Sequence, residues 1–72
     1  MQIAQKIKEL RIDRDKKQTE IAELLKTSQS YYSEYELGKR TLPIQHLYTL
    51  CAYYGVSADY VLGLPRGLAW PR

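Results

Sequence analysis

The sequence predicts an all-α fold, a compact five-helix bundle, and three observations carry that expectation. Apolar residues recur at helical spacing in separate short segments. Glycines and hydroxyl residues stand between those segments, where helices stop and start. No segment reads as a strand. With 72 residues the chain makes one domain, near the lower size limit for a single hydrophobic core. That domain is expected over residues 1–63, followed by a tail over 64–72 whose two prolines and glycine disfavour helix.

The first helix is set by Ile3, Ile7 and Leu10, an i, i+4, i+7 stripe that ends near Asp13. The run Asp13-Arg-Asp-Lys-Lys17 has no apolar content and reads as a connector. Ile21, Ala22, Leu24 and Leu25 form the inward side of a second helix from about Gln18. Thr27 or Ser28 can start a third, because either hydroxyl can accept a bond from an unpaired backbone N–H. This third helix, 28–37, should stop at Gly38, since glycine enters the left-handed conformation without strain. A fourth begins at Thr41-Leu-Pro43, with proline tolerated in the first turn. Its inward stripe is Ile44, Leu47, Leu50, Cys51 and Tyr54, and Gly55 closes it. Ser57 caps a short fifth helix carrying Asp59 in its first turn, next to the positive helix end.

Composition removes several classes of function. The single Cys51 excludes an internal disulfide, and no Cys/His cluster offers a metal site. No nucleophile–base pair or phosphate loop stands out, so no catalytic residue, cofactor or metal is expected, and an enzyme is disfavoured. No apolar run approaches a membrane span, and Met1 leads directly into a charged amphipathic pattern rather than a signal peptide. The expected location is therefore the cytoplasm. Net charge is +3, a weak pointer to a polyanion. Distribution says more: Lys6, Lys8, Arg11, Arg14, Lys16 and Lys17 crowd the first quarter, and Lys39-Arg40 follow the third helix.

Around the third helix, residues at 100° intervals separate into two sides. Gln29, Ser30, Ser33, Glu34 and Leu37 share about 140° of arc, while Tyr31, Tyr32, Tyr35 and Glu36 lie opposite. The aromatic side should pack inward, leaving the polar side exposed. Its residue types suit base edges: Gln29 can pair with adenine, Ser30 and Ser33 with any base, and Glu34 with the cytosine amino group. Lys17 and Gln18 at the start of the second helix, and Lys39 and Arg40 beyond the third, suit phosphates.

These landmarks resemble the phage-repressor/Cro-like helix-turn-helix family, also called the Xre family. The matching residues are Ile7-x-x-Leu10-Arg11, Gln18-x-x-Ile21-Ala22 and Ser28-x-x-x-Tyr32-x-x-Tyr35-Glu36-x-Gly38-Lys39-Arg40. Leu47-x-x-Leu50 and Gly55-Val56-Ser57-x-Asp59-x-Val61-Leu62-Gly63 continue the match. The resemblance implies a lambda-repressor-like DNA-binding domain in a bacterial or phage transcriptional regulator, commonly a homodimer on an inverted-repeat operator in double-stranded DNA. It implies that Gln29, Ser30 and Glu34 read bases with Ser33 beside them. It also implies that Gln18 and Lys39 contact the backbone; Lys17, Tyr31 and Arg40 complete the phosphate-binding set. Arg11 and Glu36 correspond to the family's structural ion pair. The chain departs from the pattern at Lys26, where a turn glycine is usual, at Lys16 and Thr27, and at Tyr32 and Tyr35.

Other residues are assigned more modest roles. His46 points away from the fourth helix's stripe and reads as a surface residue, and Cys51 as a small core residue. Tyr48, Tyr53, Tyr60, Leu64 and Trp70 either cover the core or form a dimer surface, with Tyr53, Tyr60, Leu64 and Trp70 the residues assigned to such an interface. Two functional expectations follow. One is a sequence-specific DNA-binding regulator, acting as a repressor. The alternative is a protein-interaction module, the antitoxin half of a toxin–antitoxin pair.

Overall fold

A computed structural model describes residues 3–62. Five helices follow one another: α1 (Ile3–Asp13), α2 (Gln18–Leu24), α3 (Gln29–Glu36), α4 (Ile44–Tyr54) and α5 (Ala58–Leu62). The tail expected over 64–72 lies outside the described residues. Ile7 and Leu10 from α1 meet Ile21 and Ala22 from α2, Tyr32 and Tyr35 from α3, Leu50 and Tyr54 from α4, and Val61 from α5. Ile7, Ile21, Leu50 and Val61 are fully buried. Each contributes about 1.5–3 kcal/mol of apolar burial, which a domain of this size needs.

Four helices end the same way. In each, one N–H reaches back five residues to a carbonyl: Lys16 to Arg11, Thr27 to Ala22, Lys39 to Glu34 and Val56 to Cys51. The residue just before each of those donors is left-handed: Asp15 at φ 56°, Lys26 at 58°, Gly38 at 76° and Gly55 at 69°. This is the Schellman arrangement, which satisfies carbonyls that a helix end would otherwise leave unpaired. Glycine takes that conformation freely, whereas Lys26 adopts it against the clash of its own Cβ. Asp15 does so in the charged connector, where a short polar side chain tolerates it.

Starts are less uniform. Ser28 Oγ accepts the Tyr31 N–H at 3.1 Å, which fixes Ser28 rather than Thr27 as the cap of α3. Ser57 Oγ accepts from Tyr60 N–H at 3.3 Å at the start of α5. At α2 the Glu20 carboxylate accepts the Lys17 N–H at 3.0 Å, but the Lys17 ammonium has no lone pair to complete a reciprocal cap. The fourth helix begins at Ile44, later than expected. Pro43 is its cap, at φ −61° and ψ 151°, and a proline also biases the residue before it away from helix.

The inward stripe of α4 is narrower than its periodicity implies. Leu50 and Tyr54 are buried, Leu47 and Cys51 only partly, and Ile44 is 77% exposed. Ile44 occupies the first turn, beyond the reach of the small core. His46, expected on the surface, is half-buried with its ring edge-on to Tyr35 at 6.0 Å. The Tyr54 hydroxyl, in the core, makes no hydrogen bond among the described residues, and that of Tyr32 is near Glu36 without a hydrogen bond of good geometry. Burial pushes the Tyr54 hydroxyl up to about 12 and raises that of Tyr32 as well.

Candidate nucleic-acid interface

The chain of contacts that positions α3 begins in the core. Arg11 donates through Nε to Glu36 Oε2 at 2.7 Å and through Nη2 to Oε1 at 3.1 Å, a two-pronged pair between α1 and α3. Its third donor, Nη1, reaches the Lys16 carbonyl at 3.0 Å and secures the turn into α2. Only 3% of the Glu36 side chain is exposed. Burial pushes the Glu36 carboxyl upward, but hydrogen bonds led by Arg11 outweigh it and hold the group below its ordinary value. Hydrogen bonding to Glu36 raises Arg11 in turn.

Gln18 extends this network to the surface. Its Nε2 donates to Glu36 Oε1 at 3.0 Å, and its Oε1 accepts from Gln29 Nε2 at 2.9 Å. The first residues of α2 and α3 are thereby joined side chain to side chain. Because Glu36 is a pure acceptor, Gln18 must turn its NH2 inward and its oxygen outward. That orientation selects the Gln29 amide as donor and leaves the Gln29 carbonyl and its second N–H unengaged in this network.

On the outer face of α3, Gln29 and Ser30 are exposed while Ser33 and Glu34 are half-buried. Tyr32, Tyr35 and Glu36 pack inward as their position on the wheel requires. Tyr31 does not: it is 40% exposed, and its ring stands edge-on to Tyr35 at 5.6 Å. Tyr31 sits beside the boundary of the polar arc, and the core is already filled by Tyr32 and Tyr35. Arg40 folds back across this face, pairing through Nε with Glu34 Oε1 at 2.5 Å. Its guanidinium also lies 4.3 Å from the centre of the Tyr31 ring. Lys17 and Lys39 are exposed at the two ends of the α2–α3 unit.

Much of the basic first quarter is engaged within the domain. Arg11 is paired with Glu36; Arg14 Nη1 donates to the Tyr54 carbonyl at 2.7 Å. Lys6 covers the Tyr60 ring at 4.9 Å and Lys16 the Tyr53 ring at 5.9 Å. Tyr53 and Tyr60 are exposed but carry these cations, while Leu64 and Trp70 lie outside the described residues. A barer apolar surface lies elsewhere, in a groove of about 340 Å³ lined by Ile44, Leu47, Tyr48, Cys51, Ala58 and Leu62. Sequence reasoning missed this groove because it counted Ile44 into the core.

Two short helices joined by a four-residue turn, the second presenting a polar face flanked by cations, define a helix-turn-helix. The profile of the helix-turn-helix domain family matches residues 4–65. The chain belongs to that family. No curated protein matches the chain. As a helix-turn-helix domain it is a DNA-binding fold, with α2 and α3 as its two characteristic helices. Among the described residues no group of three or more His, Cys, Asp or Glu side chains could hold a metal ion. No described helix is long and apolar enough to cross a membrane.

Proposed function

We propose that the protein is a sequence-specific regulator of transcription of the Xre/Cro type, a repressor that lays α3 in the major groove of an operator. The observation that carries this reading is the Gln18–Gln29 hydrogen bond, anchored through Glu36 to Arg11. It holds a carboxamide at the leading end of α3 in one orientation, which a two-point contact with adenine requires. Ser30 and Ser33 stand beside it, with Glu34 a turn further on. Lys17, Gln18, Tyr31 and Lys39 border this face as phosphate contacts, and Arg40 supplies a further cation.

The reading extends to a homodimer. Two copies would place their α3 helices one DNA turn apart on an inverted repeat, half-sites about 10 bp between centres. Ile44 and Tyr48, 77% and 75% exposed, provide apolar area for a contact between copies. Tyr53 and Tyr60, 44% and 49% exposed, would offer a more polar contact, each with a lysine ammonium over its ring. The same groove gives a second reading its one supporting observation, a protein-interaction module of the antitoxin class that inserts no chemistry of its own.

In vitro selection from a random duplex pool at about 150 mM salt tests the proposal, since non-specific binding is weak there. An enriched inverted repeat supports the dimeric regulator, and a single half-site supports a monomeric reader. Absence of enrichment, with co-purification of a partner encoded beside the gene, favours the antitoxin reading.

A further inference from the structure

Arg40 lies past the end of α3, where a long cation would ordinarily sweep over the surface and neutralise a phosphate. Here three contacts restrain it. Glu34 takes its Nε at 2.5 Å, the Tyr31 hydroxyl lies 3.4 Å from Nη1, and the Tyr31 ring lies under the guanidinium at 4.3 Å. Tyr31 is itself braced edge-on against the buried Tyr35. The turn at Gly38 makes this geometry available. With Lys39 N–H bonded back to the Glu34 carbonyl at 2.9 Å, the chain reverses, and residue 40 runs beside the turn that holds residue 34.

Resting on the DNA-reading proposal above, we infer that Arg40 is a specificity-determining residue, its guanidinium presented by Glu34 and Tyr31 as a fixed fork for guanine. Engagement of Nε by the carboxylate and of one Nη1 N–H by the Tyr31 hydroxyl leaves the second Nη1 N–H and the two N–H groups of Nη2, and two neighbouring N–H donors are what guanine O6 and N7 accept. Electrostatics favours the same arrangement. A bare Glu34 carboxylate carried into the groove would face the phosphates with its full charge. The Glu34–Arg40 pair enters nearly neutral and need not separate to bind. A move of Arg40 to a phosphate would gain one ion pair and break another. The Tyr31 ring and hydroxyl also hold the guanidinium in place before DNA arrives, so less rotamer freedom is lost on binding.

Cytosine reading by Glu34 and guanine reading by Arg40 both select a G·C pair, so the variants decide between them. Wild type, Arg40→Lys and Glu34→Gln are carried through the same duplex selection, with far-UV circular dichroism confirming that each is folded. Wild type is expected to enrich a G·C pair within each half-site. Arg40→Lys keeps the charge and loses the fork, so discrimination at that pair should fall about tenfold or more. Glu34→Gln should weaken the same preference without replacing it by another base. A preference that survives Arg40→Lys overturns the inference, whether Glu34→Gln changes the selected base or not. Failure of wild type to enrich any sequence defeats the DNA-reading proposal itself, a result distinct from loss of Arg40's part in it.

Discussion

Gln29 donates its side-chain amide to Gln18 at 2.9 Å, joining the first residue of α3 to the first residue of α2. Since Gln18 is held by Glu36 and Glu36 by Arg11, the exposed carboxamide is oriented from the core outward. Gln18 therefore has two tasks in the proposed complex, a backbone contact and the steering of Gln29. Gln18→Ala should lower operator affinity and also blur the base preference opposite Gln29. Gln29→Ala should abolish that preference at a cost of about 1–3 kcal/mol, with other positions unaffected. Quantitative binding to single-base operator variants checks both. Retained preference in Gln18→Ala would show that Gln29 needs no support.

The Arg11–Glu36 pair gives a prediction for stability. Arg11→Ala leaves a carboxylate, 3% exposed, without its two strongest donors. Loss of one partner of a buried pair costs roughly 3–5 kcal/mol, a large share of the stability of so small a domain. Glu36→Gln should destabilise as well, because it leaves the Arg11 cation, 14% exposed, without its carboxylate and turns one acceptor oxygen into an NH2 facing donors. The pH dependence follows from the lowered Glu36 pKa. A carboxyl whose folded value lies below its ordinary 4.5 adds stability above that pH and loses it as pH falls through the folded value. Denaturant titrations at pH 7, 5, 4 and 3, values chosen on the order of the carboxylate range, should show this loss in wild type. Glu36→Gln should flatten that part of the profile.

Helix content was readable wherever one residue type forces one conformation. Ile7 and Leu10 mark the buried side of α1, Ser28 and Ser57 are hydroxyl caps, and Gly38 and Gly55 supply left-handed stops. Asp15 carries no such signal, because nothing in a charged run distinguishes a left-handed aspartate from an extended one. Ile44 obeyed the helical period and is still exposed, since periodicity gives a direction but not whether anything stands there to cover it. Within the candidate interface, the polar arc of α3 was legible from the wheel alone. The Arg11–Glu36 pair behind it was implied by the family resemblance and is present, but the links that carry it to the surface were not legible. The link from Glu34 to Arg40 depends on the chain reversing at Gly38, and the orientation of Gln29 depends on an acid seven residues further along the helix. Both are consequences of tertiary geometry, which side-chain type alone does not specify.

Lys26 ends α2 in a conformation that suits glycine, at φ 58°. Left-handed backbone costs a residue with a Cβ roughly 1–2 kcal/mol. Glycine removes that strain but loses more backbone freedom on folding, which returns about 0.5–1 kcal/mol. Lys26→Gly should therefore stabilise the domain by about 0.5–1 kcal/mol, within the range of those two effects. The Lys26 side chain is exposed, so little packing is lost. Chemical denaturation midpoints at unchanged m-value are the measurement, and a destabilised variant would refute the strain argument.

The α4–α5 groove yields the last prediction. Ile44 and Tyr48 are exposed to 77% and 75%, and Cys51 and Leu62 continue the apolar surface between them and α5. In a monomer these two side chains bury little, so Ile44→Glu and Tyr48→Glu should change folding stability by no more than about 0.5 kcal/mol. In a dimer formed through this groove, the same substitutions place carboxylates in a contact that is otherwise apolar. They should then shift the protein to monomer in sedimentation equilibrium and weaken binding to a two-half-site operator far more than to one half-site. Tyr53→Glu on the lysine-covered side of α4 serves as the contrast. Tyr48 and Tyr53 are five residues apart, about 140° around the helix, so one planar interface cannot centre on both. If Tyr53→Glu alone dissociates the protein, the contact between copies lies on the tyrosine–lysine side and the groove is free for a different partner.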